Sequence, residues 1–382
     1  MEKIYLDHAA TSPMHPDVIQ TMSDVMTETF GNPSSIHSFG RVAHEKLETA
    51  REVIAKSLAV KPHEIIFNSG GTEGDNTAIM ETALARQAGG KHLITTKIEH
   101  PAVLKTMRYL ETLGFEVTFL DVDEQGHLRL DQFDAALRDD TILVSIMYGN
   151  NETGNLMPIK EIGERLADHP AYFHTDAVQA YGNQTIRPQE LGIDLLSISA
   201  HKINGPKGVG FLYKRDGVDL PPLLHGGEQE EKRRAGTENL AGICGLAKAV
   251  QLLTPTERAK RAADYQTFTA TILTALKENE IEFSVNGDLE QKLPHVLNLR
   301  FNGIINDLLL MKLDLKGVAV STGSACTAGT VDPSHVLEAL YGKSSPAIKE
   351  SLRISFGLGN TQAQIERFSE TLVTVIKELK KN

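Results

Sequence analysis

The 382-residue sequence contains only two cysteines, Cys244 and Cys326, too few for a disulfide framework or a cluster of metal-binding thiolates. It has no apolar run near the roughly 18 residues that a membrane-spanning helix needs. Its first residues, Met1 to Asp7, lack the apolar core of a signal peptide. The formal net charge is −11, so there is no general basic surface. We therefore expect a cytoplasmic protein with no membrane partner and no direct nucleic-acid partner.

Strand-like and helix-like segments alternate along most of the chain, which predicts an α/β fold. Seven short segments are predicted to be strands: 64–67, 92–95, 116–120, 141–147, 171–176, 195–202 and 208–213. Most of them are rich in Val, Ile and Leu, as is typical of buried parallel strands. We expect a large domain over residues 15–253, built on a mostly parallel, seven-stranded sheet. The pattern changes after about Leu253, which predicts a smaller α+β domain from residues 1–14 and 254–382.

Two of the predicted strands end on residues that together suggest a cofactor site. One strand ends on Asp176 and another on Lys202, 26 positions later. In enzymes that use pyridoxal phosphate (PLP), a lysine forms a Schiff base with the cofactor and an aspartate pairs with the pyridinium nitrogen. A lysine at a strand end is more often a solvated charge, so this prediction needs support from other residues.

Ligand-capable residues follow three more of the predicted strands. Gly71 and Thr72 lie in a glycine-rich turn that opens a helix, where free N–H groups favour an anion. His100 could stack on a flat ligand or carry protons, and Asn151 could donate to an oxygen of the cofactor or substrate. Each has an ordinary alternative: a turn with a threonine cap, a helix cap and a turn, respectively. Because ligands of open α/β sheets bind beyond the carboxyl ends of the strands, five such strand ends together predict one site.

Each residue has a distinct role in the predicted PLP site. Lys202 supplies the amine, Asp176 keeps the ring nitrogen protonated, and Gln179 hydrogen-bonds the phenolic oxygen of the ring. The phosphate is expected to bind four groups: Thr72, Ser199, His201 and the backbone N–H groups near Gly71. No intrinsic metal site is predicted.

The two cysteines and one arginine lie in different surroundings. Cys244 lies in an apolar helical run and is predicted to be an inert core thiol. Cys326 lies in the small, Gly-rich stretch 321–330, which by itself favours an incidental loop cysteine. Together with the predicted PLP site, it favours a nucleophile on a mobile loop. Arg353 lies on an alternating strand and is predicted to bind an α-carboxylate, with an ordinary exposed arginine as the alternative.

The chain strongly resembles the cysteine desulfurases of the NifS/IscS type, fold-type I PLP enzymes of the class V aminotransferase family. The matching motifs occur in family order at residues 5–11, 69–73, 99–100, 150–154, 176–179, 199–202, 234–237 and 324–326. The resemblance implies that Lys202 binds PLP, that His100 stacks on its ring and that Arg353 holds the substrate carboxylate. It also implies a homodimer in which Thr237 reaches the cofactor phosphate of the other subunit.

The implied reaction converts L-cysteine to L-alanine and transfers its sulfur. Lys202 would remove the Cα proton, His100 would carry protons for the thiols, and Cys326 would accept the sulfur as a persulfide. A sulfur-acceptor protein would follow, either an iron–sulfur scaffold or a tRNA-thiolation enzyme, and Cys326 could transiently ligate an iron–sulfur cluster through its persulfide. The sequence ends after the predicted helix 361–380 without the scaffold-docking tail of some relatives, so both acceptors stay open.

Other functions remain compatible with the same motifs. A selenocysteine lyase or another class V aminotransferase-family enzyme would share the fold and the cofactor. Cys326 argues against a plain aminotransferase, which needs no thiol. An inactive scaffold is disfavoured because every expected chemical residue is present.

Overall fold

The computed structural model describes residues 3–323 and 333–381, so the predicted nucleophile Cys326 lies outside the described residues. The described strands are β1 (Ile4–Tyr5), β2 (Ile65–Asn68), β3 (His92–Thr96), β4 (Glu116–Leu120), β5 (Thr141–Ser145), β6 (Tyr172–Asp176), β7 (Leu195–Ser199), β8 (Gly210–Lys214), β9 (Ser284–Val285), β10 (Val296–Arg300), β11 (Val318–Ala319) and β12 (Ser351–Ser355). The described helices are α1 (Pro16–Glu28), α2 (Ser38–Leu58), α3 (Gly71–Asn76), α4 (Thr82–Arg86), α5 (Pro101–Thr112), α6 (Leu130–Ala136), α7 (Ile159–Leu166), α8 (Gln229–Lys232), α9 (Leu240–Leu252), α10 (Pro255–Glu278), α11 (Asn306–Leu315), α12 (His335–Tyr341), α13 (Ala347–Glu350) and α14 (Gln362–Lys380). None of the helices in these two ranges combines the length and the apolar character that crossing a bilayer requires.

The central sheet has seven strands in the order β2-β8-β7-β6-β5-β3-β4. Strands β4, β3, β5, β6 and β7 pair in parallel, whereas β8 runs antiparallel to both of its neighbours. Every residue of β3, β5 and β7 is buried, as expected when helices cover both faces of a parallel sheet. The predicted α/β fold with a mostly parallel seven-stranded sheet is confirmed.

The C-terminal part of the chain has smaller sheets and its own apolar core. Strands β12, β10 and β9 form an antiparallel sheet, and β1 pairs in parallel with β11. Ile4 and Leu6 from the N-terminal end pack into this second core together with residues of α10, α11 and α14. Val336 and Leu340 of α12 instead join the core around the central sheet. The division into domains at residues 14 and 253 stays a prediction.

Two local expectations need correction. The strand predicted to reach Lys202 ends at Ser199, and Ala200–Lys202 forms a 3-10 turn because the Ala200 carbonyl accepts hydrogen bonds from Ile203 and Gly205. Cys244 is half-buried on α9 rather than enclosed in the core. Burial nevertheless raises the pKa of its thiol, so Cys244 is a poor nucleophile at neutral pH.

A buried ion pair fixes the segment that follows the central sheet. Arg51 on α2 makes two 2.7 Å hydrogen bonds to Glu230 in α8, and the exposed fractions of the side chains are 6% and 1%. Glu230 also accepts the Phe67 N–H. Glu230 and Glu231 have φ values of 48° and 55°, a left-handed region that is unfavourable for residues other than glycine. The ion pair therefore helps to hold a strained backbone.

We predict that Glu230→Ala lowers the free energy of unfolding by about 3–5 kcal/mol, because the buried Arg51 guanidinium loses its buried partner and keeps only Glu48, whose side chain is 41% exposed. Glu231→Ala is the matched control, since Glu231 shares the left-handed backbone but its side chain is 72% exposed. The control should lose less than about 1 kcal/mol. Urea unfolding followed by circular dichroism measures both variants. Equal losses would contradict the assignment of this stability to the ion pair.

Candidate active site

A cavity of about 360 Å³ lies beyond the carboxyl ends of the central parallel strands. Ten of the predicted site residues line it: Gly71, Thr72, His100, Asn151, Asp176, Gln179, Ser199, His201, Lys202 and Arg353. They meet because parallel strands end at the same edge of a sheet. Thr237 lines a different pocket, next to Arg234, and Cys326 lies outside the described residues.

The N-terminal segment positions the amine of Lys202. Its Nζ donates to the carbonyl oxygens of Ala9 and Ala10, at 2.5 Å and 2.8 Å. The side-chain amide of Gln179 donates to the same Ala9 carbonyl at 2.9 Å. Residues at the very start of the chain thus close one side of the cavity and keep the amine inside it.

Asp176 and His100 form the electrostatic centre of the cavity. Asp176 is 7% exposed, and its Oδ1 accepts the Val178 N–H at 2.9 Å. Burial raises the pKa of Asp176, while the nearby His100 and Lys202 act in the opposite direction. The Lys202 ammonium favours the carboxylate form, which suits Asp176 to pair with a cationic group of a ligand.

His100 fulfils both interpretations that its position allows. Its Nδ1 accepts the Ala102 N–H at 3.1 Å, which caps α5, and the ring also lines the cavity. Burial lowers the pKa of His100, which favours a neutral ring. Because Nδ1 is an acceptor in this hydrogen bond, Nε2 carries the proton of the neutral ring. His100 can therefore donate that proton into the cavity.

The turn before α3 leaves space for an anion. Gly70 has a φ of 140°, which side chains rarely permit, and a Cβ on Gly71 would meet Val178 Cγ2 at 2.7 Å. The first turn of a helix leaves backbone N–H groups without helical partners. Thr72 and Ser199 add hydroxyl groups at the same end of the cavity. Together these groups could hold a phosphate.

His201 and Lys207 extend this end of the cavity. Burial, and then the positive charges of Lys202 and Lys207, lowers the pKa of His201 to about 4. The ring is therefore neutral at pH 7, with Nδ1 3.1 Å from the Thr11 hydroxyl. The sequence analysis assigned no role to Lys207, because its glycine-rich surroundings indicate only a turn. Its ammonium adds a positive charge that would favour an anionic ligand.

Arg353 is almost fully buried, at 2% exposed, so the alternative of an ordinary exposed arginine is wrong. Its Nη2 lies 2.8 Å from Asp7 Oδ1, and its Nη1 donates to the carbonyls of Asn151 and Gly323 at 3.1 Å and 3.2 Å. Within the described residues, its Nε has no hydrogen-bond partner. The residue also lines the cavity, where its guanidinium could bind a carboxylate.

Three acidic residues of the site were not predicted. Asp7 orients Arg353, and Asp75 and Glu99 are buried carboxyls near Asp176. A signal for Asp75 was present, since it follows Gly71 by one turn of the helix and so shares a face with it. Burial of Asp7 and Glu99 depends on distant contacts, and the sequence contains no local indication of it.

The site geometry can be compared with known proteins. The family model for class V aminotransferases matches residues 4–368. The chain belongs to this family. The Bacillus subtilis (strain 168) protein IscS 1 is 56% identical over 379 residues, covering 99% of this chain and 100% of the relative. The cysteine desulfurase IscS of Dictyoglomus turgidum is 45% identical over 383 residues, covering 99% and 95% of the two chains.

Solved structures of similar proteins also include NifS-like proteins. A NifS-like protein superposes with a TM-score of 0.92 at 34% identity, covering 99% of this chain and 100% of the other. SspA in complex with cysteine has a TM-score of 0.81 at 36% identity, with coverages of 93% and 99%. The predicted resemblance to NifS/IscS-type cysteine desulfurases is confirmed, and with it the predicted enzyme class. Members of this family are PLP enzymes.

One buried histidine behind the site should make the protein sensitive to acid. His295 Nε2 lies 3.1 Å from the amide oxygen of Gln179. Burial, followed by nearby positive charges such as Lys292, lowers the pKa of His295 to about 3. An unfolded histidine has a pKa of about 6.5. The unfolded state therefore binds more protons between about pH 6.5 and pH 3, and stability falls as the pH drops through that window.

We predict that His295 accounts for a loss of about 2 kcal/mol in unfolding free energy between about pH 7.5 and about pH 5. His295→Gln should remove this part of the pH dependence, because glutamine does not titrate. His44→Gln, at an exposed position on α2, is the control and should keep the wild-type dependence. Urea unfolding at the two pH values gives the comparison. An unchanged pH dependence in His295→Gln would contradict the prediction.

Proposed function

We propose that this cysteine desulfurase uses PLP to transfer the sulfur of L-cysteine to Cys326, giving L-alanine and a persulfide. The observation that carries the proposal is the convergence of Lys202, Asp176 and Arg353 on one cavity. An amine, a buried carboxylate and a buried guanidinium are the groups that anchor a PLP ring and an amino-acid carboxylate. The related SspA binds cysteine, which supports L-cysteine as the substrate.

The cavity residues fit PLP. Lys202 would hold the cofactor covalently through its amine, Asp176 would face the ring nitrogen, and the Gly70–Gly71 turn has room for the phosphate. When bound, PLP supplies an electron sink for the negative charge that develops at the substrate Cα. Further contacts are assigned to five residues: Thr72, His100, Gln179, Ser199 and His201. The Gln179 amide has a second N–H available after its bond to Ala9.

The residues of this chain supply the remaining steps. Arg353 binds the substrate carboxylate through its guanidinium, and Asn151 lies beside it. The substrate amine would take the place of Lys202 on the cofactor, and the freed Lys202 Nζ would then remove the proton from the substrate Cα. His100 Nε2 exchanges protons with the thiols. The Cys326 thiolate attacks the substrate sulfur, so that the carbon–sulfur bond breaks and a sulfur–sulfur bond forms. Protonation of the remaining carbon skeleton gives alanine.

The described residues on either side of Cys326 support its role as nucleophile. Arg353 donates to the Gly323 carbonyl, and the Ser334 hydroxyl donates to Glu152. Glu152 is adjacent to Asn151 and is itself buried. Both ends of the segment that contains Cys326 are therefore anchored beside the residues that would bind the substrate.

The surface supports a homodimer. The connection between α1 and α2, together with the first turn of α2, exposes three large apolar side chains: Phe30 (77%), Ile36 (92%) and Phe39 (58%). The rings of Phe30 and Phe39 lie 5.2 Å apart. An exposed apolar cluster of this kind marks a protein interface. Thr237 is outside its own chain's cavity, so we assign it to the cofactor phosphate of the partner subunit.

The persulfide needs a recipient, for which we propose a cytoplasmic sulfur-acceptor protein. An iron–sulfur scaffold and a tRNA-thiolation enzyme are the two candidates. The net charge of −11 makes the chain itself a poor binder of nucleic acid, so transfer through a protein is favoured. An acceptor that presents a thiol to Cys326 could take the outer sulfur directly.

We predict that Cys326→Ala keeps the visible absorption of bound PLP but lowers sulfide release from L-cysteine by at least about 100-fold. Cys244→Ala is the matched control and should change the rate by less than about twofold, since Cys244 lies outside the cavity. Lys202→Ala should lose the visible band. Wild-type rates in Cys326→Ala would exclude the persulfide route, and an unchanged band in Lys202→Ala would exclude the proposed cofactor attachment.

We predict that Phe39→Asp weakens the dimer at least about 10-fold, because a charge would be buried at the interface. The control is Leu315→Asp on α11, where an apolar side chain is 80% exposed away from this cluster. Sedimentation velocity over a range of concentrations measures dissociation. Loss of the dimer in both variants, or in neither, would place the interface elsewhere.

A further inference from the structure

A row of buried polar side chains crosses the central sheet directly beneath Asp176. Ser145 on β5 lies 2.8 Å from Nδ1 of His174 on β6, and Ser197 on β7 lies 2.9 Å from its Nε2. All three residues are fully buried. His174 precedes Asp176 by two positions, so both side chains lie on the same face of β6. The proposed chemistry uses none of these three residues.

Asp75 lies at the end of this row. It is 1% exposed, and its Oδ1 is 3.6 Å from His174 Nε2. Within residues 3–323 and 333–381, this oxygen has no hydrogen-bond partner. Helix α3 can approach β7 closely because residue 74 is glycine, where a Cβ would meet Ser197 Oγ at 2.9 Å. The close packing thus places a buried carboxyl in the wall of the cavity.

The groups around Asp75 do not compensate a negative charge. One atom each from Asp75, His100 and Asp176 lie within 4.8 Å of one another, and Glu99 adds a third buried carboxyl. In the described part of the chain, no lysine or arginine forms an ion pair with Asp75. Burial lowers the pKa of His174 to about 3, so this neighbour is neutral.

The ionisation of the carboxyls follows from these surroundings. Burial, and then the charge of Asp176, raises the pKa of Asp75 well above its usual value. Burial likewise raises the pKa of Glu99 to about 8. Asp176 differs because Lys202 and His100 oppose the effect of its burial. Two buried carboxyls this close cannot both ionise readily, and Asp75, whose charge Lys202 does not offset, keeps the proton.

We propose that Asp75 is a positioning residue that acts on the cofactor through Asp176: the neutral Asp75 carboxyl retains the proton of the pair, so that Asp176 is the ionised partner of the ring nitrogen. As an acid, Asp75 can also donate a hydrogen bond to the Ser197–His174 row. The substitution Asp75→Asn would preserve neutrality and the donor, whereas Asp75→Leu would preserve only the approximate volume. This inference rests on the proposed function, because it places Asp176 at the PLP ring.

Infrared spectroscopy of the full-length protein after cofactor removal tests the proton itself. At neutral pH, Asp75→Asn should lose one carboxylic-acid C=O band that the wild type shows. The control Asp131→Asn, at an exposed carboxylate paired with Arg129, should keep that band. Glu99→Gln should remove a different band. An unchanged band in Asp75→Asn would overturn the proposal, because Asp75 would then be ionised.

Cofactor binding tests the positioning role. Asp75→Asn should bind PLP within about threefold of wild type and keep the wild-type pH profile of the visible band, whereas Asp75→Leu should bind about 10-fold more weakly. Equal affinities for the asparagine and leucine variants would overturn the role. An Asp75→Asn variant that binds PLP as weakly as Asp176→Asn would also overturn the positioning role. If Asp75→Leu does not fold, the PLP affinity and the infrared band of Asp75→Asn still test the proposal.

The two proposals fail in different ways. If even the wild type does not bind PLP, the proposed function is wrong, whereas the infrared band still reports the proton on Asp75. If PLP binds normally and the band does not depend on Asp75, only the role of Asp75 is wrong.

Discussion

The active site depends on how the N-terminal segment, residues 5–12, lies between the two hydrophobic cores. Ile4 and Leu6 are buried in the C-terminal core, and directly after them the backbone turns toward the central sheet. There the Ala9 carbonyl accepts hydrogen bonds from both Lys202 and Gln179. Asp7 of the same segment pairs with Arg353. Because one short stretch of backbone contacts the amine, the amide and the guanidinium, their relative positions are fixed together.

Burial gives the site its chemical character. Arg353 is already oriented by Asp7 and two backbone carbonyls, so binding a carboxylate would cost little additional side-chain entropy. The buried carboxyls of the site differ from Arg353, whose charge is paired with Asp7. Several acidic groups lie close together there, in a region with few positive charges. Protons must compensate there for missing cations. The ionisation of Asp176 thus depends on the whole cluster rather than on one residue.

The sequence predicted most of the fold and ten of the cavity residues because both depend on local signals. Strand periodicity is local, and a polar residue directly after a strand must lie at the sheet edge. Residues such as Asp75 and Ala9 could not be found in this way. Asp75 becomes important only because Gly74 lets α3 approach β7, and Ala9 acts through its backbone carbonyl, which has no side-chain signature. The turn at Lys202 likewise depends on hydrogen bonds to Ala200 that strand propensity does not reveal.

Covalent geometry limits the distance between the proposed nucleophile, Cys326, and this cavity. Gly323 is held by Arg353, at 3.2 Å from its carbonyl oxygen to Nη1, and its φ of 108° favours glycine. A Cβ there would meet Glu152 Oε2 at 2.6 Å, so this anchor tolerates no larger residue. Cys326 follows Gly323 by three residues, and three residues of chain span at most about 11 Å. The guanidinium that would bind the substrate carboxylate therefore also limits how far the thiol can be from the substrate.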